Sequence, residues 1–171
     1  MKKVMLICLC VAMLGLGGCS DDRDNKKSLT VERYVELLKQ NRYDSLDLPN
    51  FSYSDIPELL KYRDDQHVIT TFPRNPISSS ILIECRLGVY VLWTIESIRA
   101  RSINSEALVM RFPSQNAVLW YRNSYEVVPE SDILAHNVVS SAYYNWWYSN
   151  SAASFDEFKS IDPLAQTVYR W

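Results

Sequence analysis

Imidazoles, neighbouring carboxylates and thiols are the groups most able to bind metal or attack a substrate, so they bound the chemistry first. The chain has two histidines. His67 closes the polar run Asp64-Asp65-Gln66-His67, and His136 lies in a stretch of helical periodicity. Neither stands at metal-ligand spacing with a cysteine or another histidine. Asp64, Asp65 and His67 supply three nearby ligands without a fourth, which is a weak site, so a solvated loop is expected there and no metal or cofactor is. Cys85 follows Ile81-Leu82-Ile83-Glu84, an apolar setting that predicts a buried, inert thiol rather than a nucleophile. Glycoside hydrolysis needs two carboxyl groups facing each other across a cleft, and spacing alone cannot select such a pair from 20 acidic residues. No G-x-S-x-G, P-loop, H-E-x-x-H or G-x-G-x-x-G pattern occurs. Of four glycines, three precede residue 19, which leaves little for a phosphate-cradling loop. No catalytic residue is therefore expected, and a hydrolase with dispersed carboxylates stands as a second alternative only.

Aromatic content is the unusual feature: eleven Tyr, five Trp and five Phe, all after residue 18. The densest run is Tyr143-Tyr144-Asn145-Trp146-Trp147-Tyr148. On a helix such rings must spread around the axis, so Tyr143 and Trp146 can be core, with Trp147 beside them, while Tyr144 and Tyr148, four apart, share another face. Tyr144, Trp147 and Tyr148 are thus the candidate interaction aromatics, as a stacking platform for a sugar or a contact for a protein. The alternative is that the rings pack against residues 107–128 or Trp171.

At the N-terminus, Met1-Lys2-Lys3 precedes an apolar run from Val4 to Leu16. A bilayer-spanning helix needs about 20 apolar residues, so this run fits the hydrophobic region of a signal peptide instead. It ends in Leu16-Gly17-Gly18-Cys19, which resembles the lipobox of bacterial lipoproteins. That resemblance implies cleavage between Gly18 and Cys19 and a thioether-linked diacylglycerol on Cys19, with further acylation of the new amino terminus. Two or more chains make a stable anchor where one does not. An ordinary secretory signal with an incidental cysteine is the alternative. Residues 20–27, Ser20-Asp21-Asp22-Arg23-Asp24-Asn25-Lys26-Lys27, hold no apolar residue and read as a flexible tether. Ser20, Asp21, Asp22 and Asp24 resemble the surface-export signal of Bacteroidota lipoproteins; a plain solvated linker is the alternative. The expected address is the cell envelope, lipid-anchored in the outer membrane, either periplasmic or surface-exposed.

Removing Lys2 and Lys3 from 18 basic residues leaves 16 against 20 acidic ones, a formal charge of −4. No Lys/Arg cluster follows the tether, so nucleic acid is not an expected partner. The division is 1–18 signal peptide, 19–27 lipidated cysteine and tether, and 28–171 a single globular domain. Cys8 and Cys10 would leave with the signal peptide and Cys19 would carry lipid, so no intramolecular disulfide is available to Cys85.

The elements that must position these residues read as helices more often than strands. Thr30 caps a helix through Asn41, with Val31, Tyr34, Val35, Leu37 and Leu38 at helical spacing. Asp55-Ile56-Pro57-Glu58 opens a short helix to about Asp64. Residues 68–72, closed by Pro73, are a strand or an extended linker. Ser78 to Ser80 offer caps for a central helix over 81–102, with Leu87, Val91, Ile95 and Ile98 as its stripe; Gly88 within it implies close packing, and Glu96 with Arg99 a surface charge pair. Short helices are expected over 103–128, with strands as the alternative. Ser131 or Asp132 caps a long helix to about Tyr148, with Leu134, Val138, Ala142 and Trp146 in one row and Ala135, Val139 and Tyr143 in the next. A short helix from Ser154 ends at Asp162-Pro163.

The stretch Gly88-Val-Tyr-Val-Leu-Trp-Thr-Ile-Glu-Ser-Ile-Arg99, with Tyr143 to Trp147, Ile161-Asp-Pro-Leu164 and Tyr169-Arg-Trp171, resembles an uncharacterised family of small Bacteroidota lipoproteins of unknown function. The resemblance implies an address and no activity. The expected fold is mainly α, one domain of about five or six helices, with an α+β arrangement using a small sheet from 68–72 and 107–121 as the alternative. The expected function is a non-enzymatic, membrane-anchored protein that works through an unknown protein partner, or alternatively a glycan-binding surface module.

Overall fold

The computed structural model describes residues 29–74, 82–104, 116–124 and 126–171. Five helices dominate it, and two short antiparallel ladders tie their ends. The mainly α reading is therefore correct.

Helix α1 is Val31–Lys39. Thr30 Oγ1 accepts from Arg33 N at 3.2 Å, and Val31, Tyr34, Val35 and Leu38 turn inward. The helix stops short of Asn41, because Asn41 takes a left-handed conformation (φ 54°), which asparagine tolerates at a helix C-terminus. There its side-chain carbonyl accepts from Thr70 N, Thr70 Oγ1 and Thr71 N at 2.7 to 3.1 Å, which fastens the end of α1 to Thr70 and Thr71. The helix expected from Asp55 is three tight pieces in succession: a 3₁₀ turn Tyr53–Asp55, α2 at Ile56–Leu59, and a 3₁₀ turn Leu60–Tyr62.

Val68–Ile69 forms β1, paired with β2, Cys85–Arg86, in the register Val68↔Arg86 and Ile69↔Cys85. The central helix α3 accordingly begins at Leu87, later than the expected Ile81, and runs to Ser102. Cys85 and Arg86 are held extended by the ladder, and Ser78 to Ser80 lie outside the described residues. No side chain caps α3. Its first N–H groups donate instead to the loop before β1, Leu87 N to His67 O and Gly88 N to Asp65 O, both at 2.8 Å. This approach is why residue 88 is glycine: a Cβ there would lie 2.4 Å from the Arg63 carbonyl oxygen.

Apart from Arg99, Arg101 and Ser102, α3 is buried on every side, wider than any single stripe. A helix apolar all round is a core element. Tyr34 of α1 shares a 3.0 Å hydrogen bond with Thr94 of α3. The long helix α4, Ile133–Ser149, is capped by Asp132, whose Oδ1 accepts from Ala135 N at 2.9 Å. Its inward residues are Ala135, His136, Val139, Ser140, Tyr143 and Trp146, while Leu134 and Val138 of the neighbouring row are exposed. Two rows one residue apart are nearly equivalent in periodicity, and only the partner helix decides which faces in.

Helix α5, Phe155–Phe158, follows Ser154, and the chain then turns through Asp162-Pro163. Strands appear where short helices were expected: β3, Trp120–Tyr121, pairs with β4, Tyr169–Arg170, and Trp120 bridges to Val127. The 107–110 part of that expectation lies outside the described residues. Thus β1 and β3 do not join in one sheet; the two ladders are separate two-stranded pairs. Arg122, just past β3, holds the closing segment. Its guanidinium donates to the carbonyls of Leu164, Thr167 and Tyr169 at 2.9 to 3.3 Å and pairs with Asp162 at 3.3 Å.

Candidate functional site

Helix α4 presents its chemistry on two sides. Along one face, Leu134, Val138 and Ala142 recur every fourth residue down to the buried Trp146, and the turn 161–167 faces them across a groove of about 930 Å³. Leu134 is 78% exposed, and Val138 and Ile161 are also solvent-exposed. A second row, Asn137, Ser141, Asn145 and Ser149, lines the same groove with amides and hydroxyls. At its floor Trp146 is buried, and its indole N–H has no acceptor among the described residues.

The aromatic run spreads as its helical spacing requires. Tyr143 is fully buried and Trp146 nearly so, each in contact with other rings. Tyr144 and Tyr148 are exposed and share one face, their centroids 4.4 Å apart. They are not an open platform: they lean on one another, and the Arg63 guanidinium sits 4.5 Å from the Tyr144 centroid. Trp147 turns away from them, toward Phe155 and Phe158.

There it enters a cleft of about 400 Å³ whose aromatic walls are Tyr53, Trp147 and Phe155, with Phe158 behind. Tyr53 and Phe155 stack with centroids 5.3 Å apart and planes 13° from parallel. Both rings stand first in a tight helical turn held by an acid three residues beyond a serine. Asp55 Oδ2 accepts from Ser52 N at 2.8 Å, and Glu157 Oε2 from Ser154 N at 3.2 Å. Ser54, Asn150, Ser151, Ser154 and Asp156 supply the polar lining. Neither Tyr53 nor Phe155 stands out from the sequence as a site residue, although the repeated pattern of serine, aromatic, any residue, acid in Ser52-Tyr53-Ser54-Asp55 and Ser154-Phe155-Asp156-Glu157 carried the signal.

A third recess, of about 280 Å³, brings two acids together: Glu84 and Glu130, with Cys85, Arg86 and Ser131. Burial raises the Glu130 carboxyl above its ordinary range, Arg86 opposes that, and Glu84 adds to it. The recess falls below the roughly 300–1,000 Å³ usual for ligand sites. Arg86 is also committed structurally, with Nε on Glu130 O at 2.9 Å and Nη1 on Gln66 O at 3.3 Å. Cys85 is fully buried, and burial pushes its thiol well above the ordinary value.

Asp64, Asp65 and His67 have structural partners. Asp64 accepts from Ser140 of α4, Asp65 pairs with Lys39 at 2.6 Å and accepts from His67 N at 2.9 Å, and His67 Nε2 meets Lys39 O at 3.2 Å. Among the described residues no cluster of three or more His, Cys, Asp or Glu could hold a metal ion.

Residues 25–171 match the family described as Domain of unknown function (DUF4943). The chain belongs to that family. No curated protein and no solved structure matches it. The match covers every element described above, so the α4 groove and the aromatic cleft are features of a DUF4943 domain. Gly18, Cys19, Ser20, Asp21, Asp22 and Asp24 lie outside the described residues. Among the described residues no helix of this DUF4943 chain is long and apolar enough to cross a membrane.

Proposed function

We propose that this protein is a lipid-anchored component of the bacterial cell envelope, held to the outer membrane through Cys19, that works by binding another protein through the α4 groove. The anchor rests on Leu16-Gly17-Gly18-Cys19 and the charged tether behind it. The same pattern, with the acidic residues at 21, 22 and 24, supports kinship with Bacteroidota lipoproteins.

The observation that carries the binding role is the exposed aliphatic row of the groove. Leu134, Val138 and Ile161 line one concave strip between α4 and the turn 161–167. Contiguous exposed apolar surface of this kind marks contact sites, and here it is edged by the Asn137, Ser141 and Asn145 side chains that would form a polar rim. Truncating or charging the centre of such a strip costs most of the affinity, because a few buried anchors dominate.

The test places a photo-crosslinking residue at Leu134, at Val138 and, as a control, at exposed Glu32 on α1, in cells of the native host. The expected result is one discrete adduct from positions 134 and 138, absent from 32 and lost when Ile161→Asp is added. Equal labelling from all three positions, or no adduct from the groove, would refute the reading.

A further inference from the structure

The aromatic cleft at the C-terminal end of α4 is a second concave site, and its chemistry differs from that of the groove. We propose that it is a carbohydrate subsite that takes one ring of a neutral sugar against Tyr53, Trp147 and Phe155.

Three features lead there. The walls are aromatic faces and edges, with Tyr53, 56% exposed, at the rim and stacked on Phe155 behind it. An aromatic face carries negative charge density, so it favours the polarised C–H groups on one side of a pyranose. The rest of the lining is Ser54, Asn150, Ser151, Ser154 and Asp156, groups that can pair with hydroxyls in both donor and acceptor roles. At about 400 Å³ the cleft lies within the usual range for small ligands and is too confined for a protein element.

Charge selects among ring-shaped ligands. Among the described residues no lysine or arginine lines the cleft itself, and Lys159 beside it is paired with Asp156, so a phosphorylated or sulfated ligand would gain a counter-ion only by breaking that pair. The carboxylate of Asp156 is paired with Lys159 at 2.7 Å, which leaves little attraction for a cationic ligand either. Neutral polyols are what remains. The Tyr144–Tyr148 pair is a poorer candidate for the same role, since Arg63 already occupies Tyr144.

The site is also built rigidly. The Ser52/Asp55 and Ser154/Glu157 contacts fix the backbone at both rings, and Asn150 Nδ2 donates to Trp146 O at 2.7 Å to close the end of α4. Pre-set walls reduce the ordering cost of binding a weakly held ligand.

The experiment uses the full-length protein in detergent micelles against an array of neutral gluco-, manno-, xylo- and N-acetylglucosamine oligosaccharides. Hits are then titrated by tryptophan fluorescence, to which Trp147 of the cleft contributes as one of five tryptophans. Tyr53→Ala removes the exposed ring and Ser151→Trp fills the cleft from an exposed position; thermal unfolding checks that both remain folded. The expected result is binding of at least one neutral oligosaccharide, weakened about tenfold or more by Tyr53→Ala and abolished by Ser151→Trp. Binding that both variants retain, or silence across the array at millimolar concentration, would overturn the proposal. None of these outcomes bears on the groove, since neither Tyr53 nor Ser151 lines it.

Discussion

The phenol of Tyr143 on α4 donates to Glu96 Oε2 on α3 at 2.8 Å, in the fully buried seam between the two longest helices. Glu96 is held from its own helix by Arg99, whose Nη2 and Nε reach the two carboxylate oxygens at 2.5 and 2.9 Å. The Trp171 indole N–H donates in turn to Tyr143 Oη at 2.7 Å. Four side chains thus satisfy one another where water is excluded. Removing one member leaves another buried and unpaired, which costs more than the bond itself. Tyr143→Phe should lower unfolding stability by about 1–3 kcal/mol. Glu96→Ala should cost about 3–5 kcal/mol, since it strands the mostly buried Arg99 charge. Urea unfolding of the two variants checks the order, and a smaller loss for Glu96→Ala would contradict the network.

Gly88 reverses the usual rule for helical glycines. Alanine normally gains about 1 kcal/mol at such a position. Here its methyl would press into the Arg63 carbonyl and disturb the Gly88 N to Asp65 O bond that starts α3. Overpacking of this kind costs about 1–3 kcal/mol, so Gly88→Ala should lower the melting temperature. A rise would show that the loop before β1 yields freely.

Buried His136 and half-buried Glu130 give opposite pH slopes. Burial, with Arg86 adding to it, lowers the His136 imidazole below its ordinary 6.5. A depressed folded value means that the unfolded chain takes up the proton first. The contribution is complete above pH 6.5 and is lost as pH falls through the folded value. Burial raises Glu130 above its ordinary 4.5, so its contribution is complete below pH 4.5 and lost as pH rises through the folded value. His136→Leu should therefore flatten the loss of stability between neutral pH and about pH 5, and Glu130→Gln should be more stable than the parent at pH 7. Unfolding free energies across a pH series decide both signs.

Cys85 should resist thiol reagents. It is fully buried with its thiol pushed well above the ordinary range, so the reactive thiolate is scarce and shielded. Mass mapping of the Cys85 peptide after maleimide treatment should show no label in the native protein and full label in urea. Native labelling at a rate near that of a free thiol would show that the β1–β2 ladder opens readily.

The helices were legible because each carries a local code, Thr30 and Asp132 as caps and the 31–38 periodicity; Asp162-Pro163 does not set the end of α5, which stops at Phe158. The start of α3 was not, since no residue type at 86 announces it; two carbonyls from a loop twenty residues earlier supply the cap. The inward row of α4 was ambiguous for a related reason, as Leu134/Val138 and Ala135/Val139 differ by one residue and α3 alone chooses. Two-residue strands such as Trp120–Tyr121 have too little alternation to read, and their partners lie far away in sequence. Of the aromatic surface, the separation of Tyr143 from Tyr144 and Tyr148 followed from helical geometry. The meeting of Tyr53 with Phe155 is purely tertiary and left only the paired turn motifs as a trace.

The β3–β4 ladder joins Tyr121 to Tyr169 and so gathers α4, α5 and the turn 161–167 into a single closed loop, latched by Arg122. Closing so long a loop is paid once, and each later opening within it draws on the same entropy. The amide protons of the turn should therefore exchange with solvent together with those of the ladder, as one cooperative unit rather than residue by residue. The far wall of the groove would then release as a piece when the Arg122 latch is removed, while α1, α2 and α3 kept their protection.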